Sequence, residues 1–178
     1  MDEKIARELV RQQLRKRTLT AAAASRLSPG HSTDIFKLIN LLNSRDPLMR
    51  IGAIKNLAAV RGEEAISAIA RCLRDPYPQV RLAACRTLGR LRAHIARNRL
   101  YDTLNDRDPQ VCCAAAGALG QMGDKFGLPC VIKLLKNDDY WPDALRALNT
   151  ITGQNFAVSA SGLKDALNWV KLTRKLSR

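Results

Sequence analysis

Apolar residues recur along the chain at two superposed intervals. Over short stretches they fall at i, i+4 and i+7 or i+8, as Val80, Ala84 and Leu88 do, which draws one apolar stripe along an amphipathic helix. Over longer stretches the whole pattern returns after 31 residues. Pro47, Pro78 and Pro109 keep this interval, and each is followed two places later by Met49, Val80 or Val111. Ala53, Ala84 and Ala115 share it, as do Leu57, Leu88 and Leu119, and upstream Leu42, Leu73, Leu104 and Leu135. A fixed period of this length is the signature of stacked repeats, each a supersecondary unit that buries its apolar face only against a neighbour.

Two helices fit within one period. The segment before each proline, such as Ala65 to Leu73 with Ile66, Ile69 and Leu73, carries its own helical stripe. At least six helices in antiparallel pairs are therefore predicted between Thr33 and Ile151, with the repeated Ala and Leu positions buried. In the last copy the second helix is advanced by two residues, so that Tyr140, Ala144 and Leu148 take the places of Val111, Ala115 and Leu119. Asp46, Asp75 and Asp108 precede Pro47, Pro76 and Pro109, pairing a side-chain acceptor for helix amides with a preset φ. Gly62, Gly89, Gly120 and Gly123 lie near helix ends, where left-handed backbone is expected.

Both ends of the chain depart from the repeat, as solenoid caps must. Asp2 to Arg17 reads as a basic amphipathic helix with Ile5, Leu9 and Leu14 on one side. The stretches SPGHS, from Ser28, and VSASG, from Val158, read as the joints. The expected organisation is a basic helical cap over residues 1–32, four repeats over 33–153, and a capping helix within 154–178.

The stretches RDPYPQVRLAACRTLGRL and RDPQVCCAAAGALGQMGD resemble the D-x-x-P-x-V-R-x-x-A-A-x-A-L-G consensus of short bacterial HEAT repeats, the type also found in phycobilisome-lyase-like proteins. DPLMRIGAIKNLAAV is a weaker copy, and the resemblance spans Thr33 to Gly153. It implies an all-α fold, a right-handed α-solenoid of about four HEAT-like helix pairs, with the second helix of each pair lining the concave side. The Arg of that consensus is present as Arg50 and Arg81 but replaced by Cys112 and Trp141. The Arg-to-Asp ladder that links repeats in such proteins should therefore be incomplete in the second half. The ending ITGQNF resembles the close of many HEAT-repeat proteins, after which a final shorter helix, here Leu163 to Leu176, is expected.

Composition agrees with packed helices. The 178 residues are 46% hydrophobic, mostly Ala, Leu, Ile and Val, with only 4% aromatic. Thirty Lys and Arg against 16 Asp and Glu leave a formal charge of +14, a positive field that attracts acidic protein surfaces, nucleic acid or anionic membrane. Neither a secretory leader nor a transmembrane stretch is expected from the pattern, and a cytoplasmic location is expected.

Catalytic chemistry finds no foothold in the pattern. No phosphate-binding loop, dinucleotide fingerprint, zinc-protease helix or nucleophile elbow occurs. Cys72, Cys85, Cys112, Cys113 and Cys130 form no CxxC pair and stand among small apolar residues, so they are read as reduced, buried thiols without metal. His31 and His94 are isolated. No enzyme, cofactor or metal is expected.

A binding face remains. With the proline as position zero and 100° per residue, positions two, six, nine and ten face the core, while four, eight and twelve turn away. Position four holds Ile51, Leu82, Cys113 and Pro142; position eight holds Lys55, Arg86, Gly117 and Arg146; position twelve adds Arg90 and Gln121. Stacking places an apolar row beside a basic one, with Ile51, Lys55, Leu82, Arg86, Arg90 and Arg146 as candidate binding residues. A scaffold that binds an acidic protein segment is the leading expectation. Electrostatic binding of nucleic acid, or a subunit role or lyase-like activity within an enzyme complex, are the alternatives.

Overall fold

The structure is a computed structural model and describes residues 32–60 and 62–176, with side chains placed for 35–60 and 62–173. The expected N-terminal helix Asp2 to Arg17, the SPGHS joint and His31 lie outside the described residues or at their edge. Nine α-helices follow one another, and no strand occurs among the described residues. They are α1 Ser32–Leu41, α2 Pro47–Val60, α3 Glu63–Arg71, α4 Pro78–Arg90, α5 Arg97–Thr103, α6 Pro109–Gln121, α7 Leu128–Leu134, α8 Trp141–Thr152 and α9 Ala160–Leu176. Short 3-10 turns extend α3 at Cys72–Arg74 and lead into α5 at His94–Ala96.

Eight of these helices make four pairs, each a first helix (α1, α3, α5, α7) packed on a second (α2, α4, α6, α8), and the second helices also pack in series along the stack. The 31-residue register explains the series. Ala53, Ala84 and Ala115, together with Leu57, Leu88 and Leu119, are all fully buried, as are Ala144 and Leu148 of the shifted last copy. The architecture is an all-α solenoid.

Glycine contributes to this packing in a way the sequence did not suggest. Gly89 and Gly120 are helical, and a Cβ at Gly89 would stand 2.8 Å from Ala118 Cα, while one at Gly120 would stand 2.8 Å from Ile151 Cγ1. Both are sites of close approach between successive second helices. Gly62 has φ −77° and is not left-handed either. Among the described residues, left-handed backbone occurs at Gly123 (φ 79°) and Gly153 (φ 72°), and at one non-glycine, Arg92 (φ 47°). Arg92 is the 31-residue counterpart of Gly123. After it Ala93 N–H donates to Leu88 O, as Asp124 N–H does to Leu119 O, so both helix ends close through the same reversal.

The starts of the second helices also differ from expectation in one copy. Asp46 and Asp108 accept the amides of Leu48 and Gln110 at the starts of α2 and α6. Asp75 does not stand at a helix start, because α4 begins at Pro78 after Tyr77, and Asp75 accepts the Tyr77 amide instead. Its true counterparts at the 31-residue interval are Ser44, Asp106 and Asn137, which accept the amides of Asp46, Asp108 and Asp139. This recurring side-chain turn shapes every connection from first to second helix.

The last helix, α9, begins at Ala160, inside the stretch expected to be a joint, and at 17 residues it is longer than any repeat helix. Gly162 leaves no room for a Cβ beside the Ala157 carbonyl, so the entry turn into α9 is closed against backbone. Asn149 of α8 donates to Phe156 O and accepts Phe156 N–H, and the Phe156 ring meets Trp169 edge-on at 6.1 Å. Buried Ala166 and Val170 complete the contact. The end of the stack is thus covered by an aromatic-anchored cap.

Candidate functional site

A groove of about 490 Å³ crosses the face made by α2, α4 and α6. Its floor is Ile51, Leu82, Ala83, Ala114 and Ala118 with the buried Thr87, and its rim carries Lys55, Arg86 and Arg90 with Gln79 and Gln121. Ile51 and Leu82 are half-buried and lean on the core below, while Lys55, Arg86 and Arg90 are exposed. Five of the six candidate binding residues therefore meet in one depression. The helical register that puts positions four, eight and twelve on one side of each second helix produces this meeting.

Arg146, the sixth, lies one helix further along. It lines a shallower hollow of about 130 Å³ with Arg86, Gln110, Gly117 and Asp143, which continues from the groove across α6 to α8. Arg146 Nη1 donates to Asp143 at 3.0 Å, and Gln110 donates to the other oxygen of the same carboxylate at 3.2 Å. The basic row is therefore balanced at its far end by one acid, and its free positive charge is concentrated at Lys55, Arg86 and Arg90. Gly117 occupies position eight between Arg86 and Arg146, and a Cβ there would touch only Ala147 at 4.0 Å. The missing side chain keeps the groove open. The sequence signalled this as a gap in the basic row, and its meaning depends on the neighbours.

At the turns that lead into the second helices the solenoid is held by an ionic ladder. Arg50 meets Asp75 through two charge-assisted hydrogen bonds of 2.7 and 2.8 Å and donates to Ser44 O at 2.6 Å. Arg81 repeats the arrangement on Asp106 at 2.6 and 2.7 Å and on Asp75 O at 2.8 Å. Both pairs span 25 residues and both are largely buried, at 8%/8% and 14%/8% side-chain exposure. The hydrogen bonds that each Arg donates to its carboxylate raise it above its ordinary value. Burial pushes the Asp106 carboxyl up, but the Arg81 guanidinium and the Asp108 amide more than offset it and leave it below the usual range.

The third rung is missing, as the replacement of Arg by Cys112 foretold, and its acid is missing as well. Asn137 stands at the position of Asp75 and Asp106. Cys112 keeps one part of the arginine's role, because its Sγ–H donates to Asp106 O at 3.1 Å, the carbonyl equivalent to Ser44 O and Asp75 O.

Comparison with family models agrees with the stacked-helix fold. The family model described as HEAT repeats matches residues 35–104 and 69–152. The chain belongs to the HEAT-repeat family. Among solved structures similar to this HEAT-repeat chain is a crystal structure of an engineered protein, 22% identical, covering 88% of this chain and 80% of that one with a TM-score of 0.49. No curated protein sequence matches.

Other features of the HEAT-repeat stack are less suited to recognition. A hollow of about 370 Å³ on the first-helix side, between α3 and α5, mixes Arg71, Arg74 and Arg99 with Asp102 and Asp106, and presents hardly any apolar floor beyond Ala70 and Leu73. Among the described residues no group of three or more His, Cys, Asp or Glu could hold a metal, and no helix is long and apolar enough to cross a membrane. All five cysteines are free thiols; four are buried and Cys130 is half-buried.

Proposed function

We propose that this HEAT-repeat protein is a non-enzymatic scaffold whose groove on α2, α4 and α6 receives an acidic, amphipathic protein segment. The observation that carries the reading is the coincidence of an apolar floor, Ile51 and Leu82, with a cationic rim, Lys55, Arg86 and Arg90. Apolar contact supplies affinity and the rim supplies steering and register. Neighbouring packed helices lie about 8 to 10 Å apart. The groove therefore spans about 16 to 20 Å between its outer axes, the length of roughly eleven to thirteen helical residues at about 1.5 Å each. A partner helix with one apolar stripe and acids on either side of it fits that dimension. The motif RDPYPQVRLAACRTLGRL and the 31-residue period support assigning the repeats to the short, phycobilisome-lyase-like type.

The rival reading, binding of nucleic acid through the charge of +14, draws on the whole surface and gives the apolar floor no role. Affinity capture from native lysate, with and without nuclease, separates the two. A protein partner retained after nuclease treatment and competed by added acidic amphipathic peptide is the expected result. Loss of all captured material on nuclease treatment would transfer the assignment to nucleic acid.

A further inference from the structure

Where the ladder loses its third rung, three thiols gather. Cys112 and Cys113 belong to α6 and Cys130 to α7, so the group straddles the junction between the third and fourth helix pairs. Cys112 Sγ–H is held at 3.1 Å on Asp106 O, and Cys130 Sγ lies 3.7 Å from Leu104 O, so both sulfurs are gathered at the 104–106 turn. The two thiols influence one another across that turn. Cys113 points the other way, into the hollow shared with Arg86 and Arg146. Cys72 and Cys85 are buried elsewhere, on the 3-10 turn after α3 and on α4.

We propose that Cys130 and Cys112 form a hydroperoxide-sensitive dithiol that closes to a disulfide and so supplies, in covalent form, the inter-repeat rung that Arg50–Asp75 and Arg81–Asp106 supply in ionic form. The position in the ladder, the shared carbonyl turn and the partial exposure of Cys130 beside a buried Cys112 carry the assignment.

The chemistry assigns different roles to the two sulfurs. The Cys130 thiol is held down at about 7, first because the Cys112 thiol can donate to its thiolate and further by the charge of Lys133, against the opposing effect of burial. Cys112 is pushed up by the same contact and by burial, with Asp106 adding to the shift, so it remains a thiol. The other charged groups facing the cluster are Arg81, which pairs Asp106, and Asp143 beyond Cys113. The thiolate is the nucleophile. Cys130 thiolate attacks the distal oxygen of a hydroperoxide; the S–O bond forms, the O–O bond breaks, and the alkoxide or hydroxide leaves and takes up a proton. Cys112 sulfur then displaces the hydroxyl of the Cys130 sulfenic acid, its own proton leaving with that hydroxyl as water, and the S–S bond forms. The peroxide is reduced by two electrons and the two thiols are oxidised by two.

The test uses the full chain exposed to a small excess of hydrogen peroxide, then alkylated, digested with trypsin and weighed. The expected product links the peptide of residues 108–125 to that of 126–133. Cys113→Ser retains the link. Cys112→Ser abolishes it and leaves a Cys130 sulfenic acid that a cyclic 1,3-diketone captures, with a far-UV spectrum confirming the helical fold. On the native unmodified chain, iodoacetamide should label Cys130 at least about tenfold faster than Cys72, Cys85 or Cys113, with a midpoint near pH 7, since those three thiols are pushed up to about 11, 12 and 12. A link surviving in Cys112→Ser, an equal labelling rate at Cys85, or a chain whose 108–125 and 126–133 peptides stay unlinked while other thiols oxidise would each overturn the proposal.

Discussion

Arg81 and Asp106, 25 residues apart, form the same two-pronged pair as Arg50 and Asp75 one repeat earlier, and each arginine also donates to the carbonyl six residues before it. The pair ties the turn of one repeat to the second helix of the preceding one. Because both side chains are largely buried, removing one partner leaves an uncompensated charge. Arg81→Ala should cost about 3 to 5 kcal/mol in chemical denaturation, and Asp106→Asn together with Arg81→Met should recover much of that loss. Additive losses in the double variant would mean that the two residues act independently.

The same pair sets an acid limb. Asp106 titrates below its ordinary value in the folded chain, so its contribution is present above the unfolded value of about 3.9 and disappears as pH falls through the lower folded one. Stability should fall as the pH drops below about 4, and Asp106→Asn should flatten that limb. A limb of unchanged steepness in the variant would place the acid sensitivity elsewhere.

The repeat was legible in the sequence because its two periods, helical and 31-residue, reinforce each other at Ala84, Leu88 and their counterparts. What was not legible depends on a second element. Gly89 near a helix end looks the same whether its freedom serves a left-handed turn or its small size admits Ala118, and only the neighbouring helix decides between them. Asp75 before Pro76 looks like a helix start, yet the 31-residue register of Ser44, Asp75 and Asp106 places it in the turn two residues earlier. The candidate groove was readable for five of six residues because it rests on one helix face repeated. Arg146 departs because it lies one helix further along, where it pairs with Asp143 three residues before it.

Glycine size and glycine freedom are separable by substitution. Gly89→Ala should destabilise by about 1 to 3 kcal/mol, since its Cβ would meet the backbone and side chain of Ala118. Gly62→Ala, with nothing within 4 Å and φ −77°, should change stability by less than about 1 kcal/mol, because the chain entropy gained is offset by the loss of glycine at the start of α3. Arg92→Gly removes the strain of a left-handed non-glycine, about 1 to 2 kcal/mol, offset by about 0.5 to 1 kcal/mol of added chain entropy. A small gain in thermal midpoint is expected, and a loss would show that the exposed Arg92 side chain contributes more than its backbone costs.

Core truncation gives the scale for these effects. Leu88 is fully buried at the centre of the stack, and Leu88→Ala should cost about 2 to 5 kcal/mol by urea denaturation. Unchanged stability would contradict the register on which the whole architecture rests.

The most direct measurement of the binding account is affinity for the captured protein partner across a salt series, compared between the wild-type chain, Leu82→Asp and Arg86→Ala. Leu82→Asp puts a charge on the apolar floor and should weaken binding by about 2 kcal/mol or more at every salt concentration. Arg86→Ala should mainly slow association and flatten the salt dependence. Unchanged affinity in both variants, or a steep loss linear in the logarithm of salt with no response to Leu82→Asp, would contradict recognition in the groove.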